Sequence, residues 1–250
     1  MTKKELQVKE SSEVSADVID FSADVGVGLE NADKASFAIP FLTILQGLSP
    51  QLETIDGAKP GMFVDTISNE LFSELLVIPC AFQRRFVQWA PREDGGGFKG
   101  DHHALDVELN KIQYEKIDGK LFVGKDELKD TRNHFVLYKA GDSGWKPAMI
   151  SLGSTQIKKS KRWMSRIQGV ELKDSKGKSY CPASFSHIYK VKAEKESNSK
   201  GSWWGFDIRL DGQVTDLELY AKAKDFNKKF NEGVLDVSEP QSDAPVSENF

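Results

Sequence analysis

The sequence predicts a mainly β protein, a small Greek-key barrel with one basic helix inserted late and a second helix at its C-terminal end. Three observations predict it. Apolar segments of strand length follow one another from about residue 75 to about residue 210, divided by turn residues. Two of them flank Asp118-Gly119, a pair that tolerates the positive φ a two-residue hairpin turn requires. Helical periodicity breaks this pattern only near residues 154–167 and again after Thr215.

In chain order, residues 1–33 are polar and acidic and read as an N-terminal arm. Residues 37–45 are dense enough in apolar side chains to be core; Pro40 can open a short helix there and Gly47 close it. Residues 75–82 form a buried run that continues through Arg84, Arg85, Phe86 and Trp89. Residues 91–100, with Gly95-Gly96-Gly97, read as a mobile loop. Residues 112–117 and 120–123 are the arms of the Asp118-Gly119 hairpin, and residues 133–139 and 148–152 are two further strands. After the basic helix, residues 184–192 and 202–210 are strands joined by a polar loop over 195–201. Thr215 and Glu218 have capping-box spacing, Val214 and Leu219 can form a hydrophobic staple, and Leu219, Ala223, Phe226 and Phe230 share one helix face that Gly233 ends. Residues beyond Gly233 are rich in Asp, Ser, Pro and Glu and read as a disordered acidic tail. Strands with one late inserted helix fit an OB-fold-like Greek-key barrel over residues 34–232; a β-sandwich is the alternative.

The formal net charge of −4 is unevenly spread. The first 33 residues carry −5 and the last 20 carry −5, so residues 34–230 carry +6. A basic body between acidic ends points to a polyanionic partner. Cys80 and Cys181 show neither a disulfide framework nor metal-ligand spacing, and are expected to be reduced. No stretch has the length of a membrane span, so a soluble, cytoplasmic protein is expected.

The chemistry concentrates in residues 153–167, which hold Lys158, Lys159, Lys161, Arg162 and Arg166 and no acid. Ser154 or Thr155 can cap this helix. Ile157, Ser160, Met164 and Ile167 fall on one face, with Trp163 beside them, and Lys158, Arg162 and Arg166 stack on another. Alternation in the last strand sends Trp204, Phe206, Ile208 and Leu210 to the core and Trp203, Gly205, Asp207 and Arg209 outward. Trp203, beside a glycine that admits a flat ligand and near Arg209, reads as a stacking platform for an unpaired base. Arg84, Arg85, Phe86 and Trp89 repeat the mixture of cations and aromatics, Trp163 and Trp89 read as further base-stacking residues beside Trp203, and Phe98, Lys99 and Arg92 can close over a strand. The triple glycine lacks a P-loop ending.

The chain ends Asp243-Ala244-Pro245-Val246-Ser247-Glu248-Asn249-Phe250. A terminal aromatic behind an acidic run resembles the tail of bacterial and bacteriophage single-stranded DNA-binding proteins. The order of basic β-rich body, helix and tail is similar to the phage replication-type members, as is the stretch from Ser154 to Trp163. The resemblance implies a protein without cofactor or catalytic residue that coats single-stranded DNA during replication or recombination in an infected bacterial cell. It also implies that Asp243, Glu248 and Phe250 recruit a polymerase or helicase. A homodimer is compatible with it. Two other classes stay open: a metal-dependent nuclease centred on Asp101, His102 and His103 with Asp106 and Glu108, and an adaptor or inhibitor whose basic face takes an acidic protein.

Overall fold

The computed structural model describes residues 24, 27–30, 38–199 and 201–233. Most of the N-terminal arm and the tail from residue 234, with Asp243, Glu248 and Phe250, lie outside the described residues.

Two long strands form the spine. β1 (Leu42–Ile44), the single-turn α1 (Gln51–Thr54), β2 (Phe63–Asp65) and β3 (Leu71–Phe72) precede them. β4 (Glu74–Trp89) and β8 (Asp126–Lys139) then pair antiparallel from Leu76↔Lys139 to Trp89↔Glu127. The run 75–82 is nearly continuously apolar because both faces of β4 are covered here. Leu75 and Val77 enter one core cluster, Ile78 and Cys80 another. Pro79 lacks a ladder donor, and it is accommodated by a register shift between Pro79 and Ala81. Burial pushes the Cys80 thiol up to about 12.

The other strands extend this pair. β9 (Lys146–Gly153) lies along β8, β12 (His187–Asn198) along β4, and β13 (Gly201–Gln213) along β12. The far ends of β4 and β8 carry β5 (Phe98–His103), α2 (Ala104–Glu108), β6 (Glu115–Ile117) and β7 (Lys120–Val123) around a small core of Phe86, Ala104, Val107 and Leu128. The expected hairpin turn is present, with Asp118 at φ 49° and Gly119 at φ 82°. α3 (Ile157–Gln168) and a two-stranded ribbon, β10 (Leu172–Lys173) and β11 (Ser179–Tyr180), fall between β9 and β12. α4 (Leu217–Asn231) closes the fold, and Leu219, Ala223, Phe226 and Phe230 pack on Ile78, Cys80, Phe135, Leu137 and Met149 as their spacing predicts. No described helix is long and apolar enough to cross a membrane.

The mainly β class, the inserted basic helix and the C-terminal helix agree with the sequence. Among the described residues, however, the strand path is open and branched, and no ladder joins β9 to β13 to close a barrel. Residues 40–46 bridge that gap instead. Phe41 bridges Met149 in parallel, and the Gln46 amide accepts from Trp204 N at 2.8 Å and donates to Trp204 O at 2.9 Å.

Several local expectations are corrected. Pro40 opens no helix: Leu42 and Ile44 alternate inward as β1, and Met149 N donates to the Pro40 carbonyl. Residues 184–186 form a 3-10 turn, so the strand starts at His187. The expected polar loop at 195–201 is ladder as far as Asn198↔Gly201, because Glu196 faces Trp203 across the strands and binds its indole. Thr215 is not the cap of α4; Asp216 is, its carboxylate accepting from Glu218 N and Leu219 N. Leu210 is not core but 52% exposed, since the cover from α3 ends with Arg166 on the Ile208 carbonyl.

Candidate nucleic-acid interface

α3 begins after a 3-10 turn over Ser154–Gln156, with Ser154 at φ 47°. Neither Ser154 nor Thr155 caps it; Gln156 holds the N-cap position and sends its side chain to β13, where Oε1 accepts from Phe206 N at 3.0 Å. Together with Gln46 on Trp204 and Arg166 on the Ile208 carbonyl, this occupies the free edge of β13 with side chains. A strand edge left bare is a template for unwanted pairing.

The inner face of α3 is Ser160, Trp163 and Ile167, all buried. Ser160 Oγ lies 2.8 Å from His134 Nε2, and the Trp163 ring stacks on His134 and meets Tyr189 edge-on. Trp163 is only 1% exposed, which overturns its assignment as a base-stacking residue. Spacings of three and four from Ser160 to Ile167 carry it into the core. His134 is held neutral, its pKa lowered to about 3 by burial and by the nearby Arg132.

The outer face differs. Lys158, Lys161 and Arg162 are exposed, and among the described residues no ion pair neutralises them. Arg166 is exposed too, with one guanidinium nitrogen on the Ile208 carbonyl. Lys159 turns away to bridge Glu194 and Glu196. Burial opposes its charge, but the two carboxylates more than offset this and its pKa is raised.

The remaining sequence candidates are not gathered onto this face. Arg84 makes a paired contact with Asp130 at 2.9 and 2.8 Å, also binds Glu108, and lies over the Phe86 ring. Arg85 points to the opposite face of β4 and pairs with Asp101 at 2.8 and 3.1 Å. Trp89 packs edge-on against Phe98. Trp203 is half-buried, its Nε1 donating to Glu196 at 2.9 Å. Gly205 is no opening for a flat ligand: a Cβ there would come 2.8 Å from Glu196 Oε1 and 2.9 Å from Gln156 Nε2. Arg209 is exposed and paired with Asp207.

The residues of the nuclease alternative are likewise engaged separately. Asp101 holds Arg85, His102 Nε2 lies 2.9 Å from Gln88 Oε1, His103 Nδ1 accepts from Leu105 N, Asp106 binds Lys111, and Glu108 binds Arg84. Among the described residues, no three His, Cys, Asp or Glu side chains group as metal ligands.

One part of the surface escapes a reading based on helix periodicity. The β10–β11 ribbon leaves the end of α3 with Lys173, Lys176 and Lys178 exposed. Residues 154–183 hold eight basic side chains against Glu171 and Asp174, a net +6. That equals the net charge of the whole body, so the rest of the body is neutral. A charge count in shorter windows finds this from the sequence.

No curated protein and no solved structure matches the chain. A family model does, over residues 8–236, and it is described as Pam3 phage gp34-like protein. That match takes in the spine, the basic insertion with α3, and α4. The chain belongs to the Pam3 phage gp34-like protein family.

Proposed function

We propose that the protein binds single-stranded DNA without sequence preference, through the outer face of α3, and coats unpaired DNA in phage replication or recombination. The observation that carries this reading is the contrast between cations. Arg84, Arg85 and Lys159 are matched by carboxylates, whereas Lys158, Lys161 and Arg162 stand exposed on one helix without an ion-pair partner among the described residues. Such a ridge gains affinity by neutralising phosphates and releasing their counterions. Trp203 and Trp89, both half-buried, are the remaining aromatic contacts from the sequence. The acidic tail, with Asp243, Glu248 and Phe250, is assigned to recruiting replication enzymes such as a polymerase or helicase.

The test is a binding series with single-stranded DNA, duplex DNA and RNA at several salt concentrations. With about four to six phosphates neutralised, log K for the single strand falls against log salt with a slope of about −3 to −4. Tighter binding to duplex, or a slope near zero, contradicts the proposal. Failure to bind any nucleic acid, with capture of an acidic protein, favours the adaptor reading instead.

A further inference from the structure

We propose that the β10–β11 ribbon is the second arm of this surface and that Tyr180 stacks on an unpaired base; the inference rests on the single-strand reading above.

The ribbon is a short antiparallel pair, Leu172↔Tyr180 and Lys173↔Ser179. So small a ribbon gains little stability from its own ladder. Its turn is nonetheless fixed. Asp174 Oδ1 accepts from Lys176 N at 2.8 Å and from Lys178 N at 2.9 Å, and Gly177 takes φ 78°. The turn therefore presents Lys176 and Lys178 on a defined backbone. The base of the ribbon is anchored to α3. Gly169 N donates to the Ser165 carbonyl at the end of the helix, and Cys181 Sγ lies 3.9 Å from the Ile167 carbonyl on the return. Tyr180 directly precedes Cys181 and thus emerges where the ribbon returns to the last turn of α3.

Tyr180 is 46% exposed, and its ring enters no aromatic pair among the described residues. Its hydroxyl has no hydrogen bond there either. It sits opposite Leu172, which is half-buried. An aromatic with an open face, on a ribbon whose Lys173, Lys176 and Lys178 are exposed, has the chemistry of a base-stacking platform, because every base offers a π-face and the cations hold the adjoining phosphates. Neither Trp163, which is buried, nor Trp203, which is tied to Glu196, is as open.

The test uses the full chain with two probes of equal length and charge, a thymidine oligonucleotide and an oligonucleotide of abasic sites. On the thymidine probe, Tyr180→Ala weakens binding about fivefold or more and Tyr180→Phe restores it. On the abasic probe, Tyr180→Ala binds as wild type does, since there is nothing to stack. Lys173→Ala/Lys176→Ala/Lys178→Ala weakens both probes and reduces the salt slope by about 2. The inference is overturned if wild type binds but Tyr180→Ala leaves the thymidine probe unaffected. It is also overturned if Tyr180→Ala weakens both probes equally, which marks a structural role. If wild type binds neither probe, the single-strand reading itself fails and takes this inference with it.

Discussion

The imidazole of His134 lies flat against the indole of Trp163, with ring centroids 4.4 Å apart and planes 24° from parallel. The strand residue and the helix residue lock α3 onto the sheet, and Ser160 adds a hydrogen bond to the same imidazole. The ridge of cations owes its orientation to this buried contact. Trp163→Ala is therefore expected to destabilise the fold by about 3–5 kcal/mol, as removal of a core aromatic does. Urea unfolding monitored by circular dichroism reads this directly. A variant that keeps wild-type stability shows that α3 is held elsewhere.

The same pair makes stability depend on pH. The folded-state pKa of His134 is lowered to about 3, below its ordinary value of 6.5. The unfolded chain therefore takes up a proton below about pH 6.5 while the folded chain does not. Stability from this group is complete above that pH and is lost as pH falls toward 3, by about 1.4 kcal/mol per pH unit. His187, whose pKa burial also lowers, adds in the same direction. The informative quantity is the difference between wild type and His134→Asn across pH 7 to 5. The variant is less stable at pH 7 but loses less on acidification, and parallel slopes contradict the assignment.

Gln46 predicts an effect on association. Its amide satisfies both the N–H and the carbonyl of Trp204 at an otherwise open strand edge. Gln46→Ala leaves both groups without these partners and costs about 1–3 kcal/mol. It also exposes a stretch of edge to another chain. Sedimentation at increasing concentration is expected to show more self-association than wild type, and an unchanged monomer fraction with unchanged stability refutes this role.

Removing residues 236–250 takes away four acids and the terminal Phe250. If those charges compete with DNA for the basic body, truncation tightens single-strand binding modestly at low salt, and the gain shrinks as salt screens the attraction. Deleting Phe250 alone leaves DNA affinity near wild type but reduces capture of a polymerase or helicase. Weaker DNA binding after truncation contradicts this division of labour.

Much of this architecture is legible in local chemistry. The Asp118-Gly119 turn, the apolar run through β4 and the seam of α4 follow from rules that act over a few residues. What escapes such rules depends on distant partners. The sequence around Trp203 reads as an open platform, but Glu196 across the ladder and Gln156 at the N-cap of α3 cover the neighbouring Gly205. Arg84 and Arg85 read as one basic patch, yet alternation sends them to opposite faces, each to its own aspartate. Trp163 lies next to Arg162 in sequence, yet one helical step buries the first and leaves the second exposed. Pro40 and Gly47 read as the ends of a short helix, but the place of residues 40–46 is fixed by β9 and β13, contacts that no local pattern contains.

The most direct test of the central claim is charge removal on the outer face of α3, which leaves the His134–Trp163 contact alone. Lys158→Ala/Lys161→Ala/Arg162→Ala should melt as wild type does, because all three side chains are exposed. Its binding to a thymidine oligonucleotide, measured by fluorescence anisotropy over a salt series, should be weaker, with a slope reduced by about 2. A variant that folds normally and binds the oligonucleotide with wild-type affinity and wild-type slope contradicts the account.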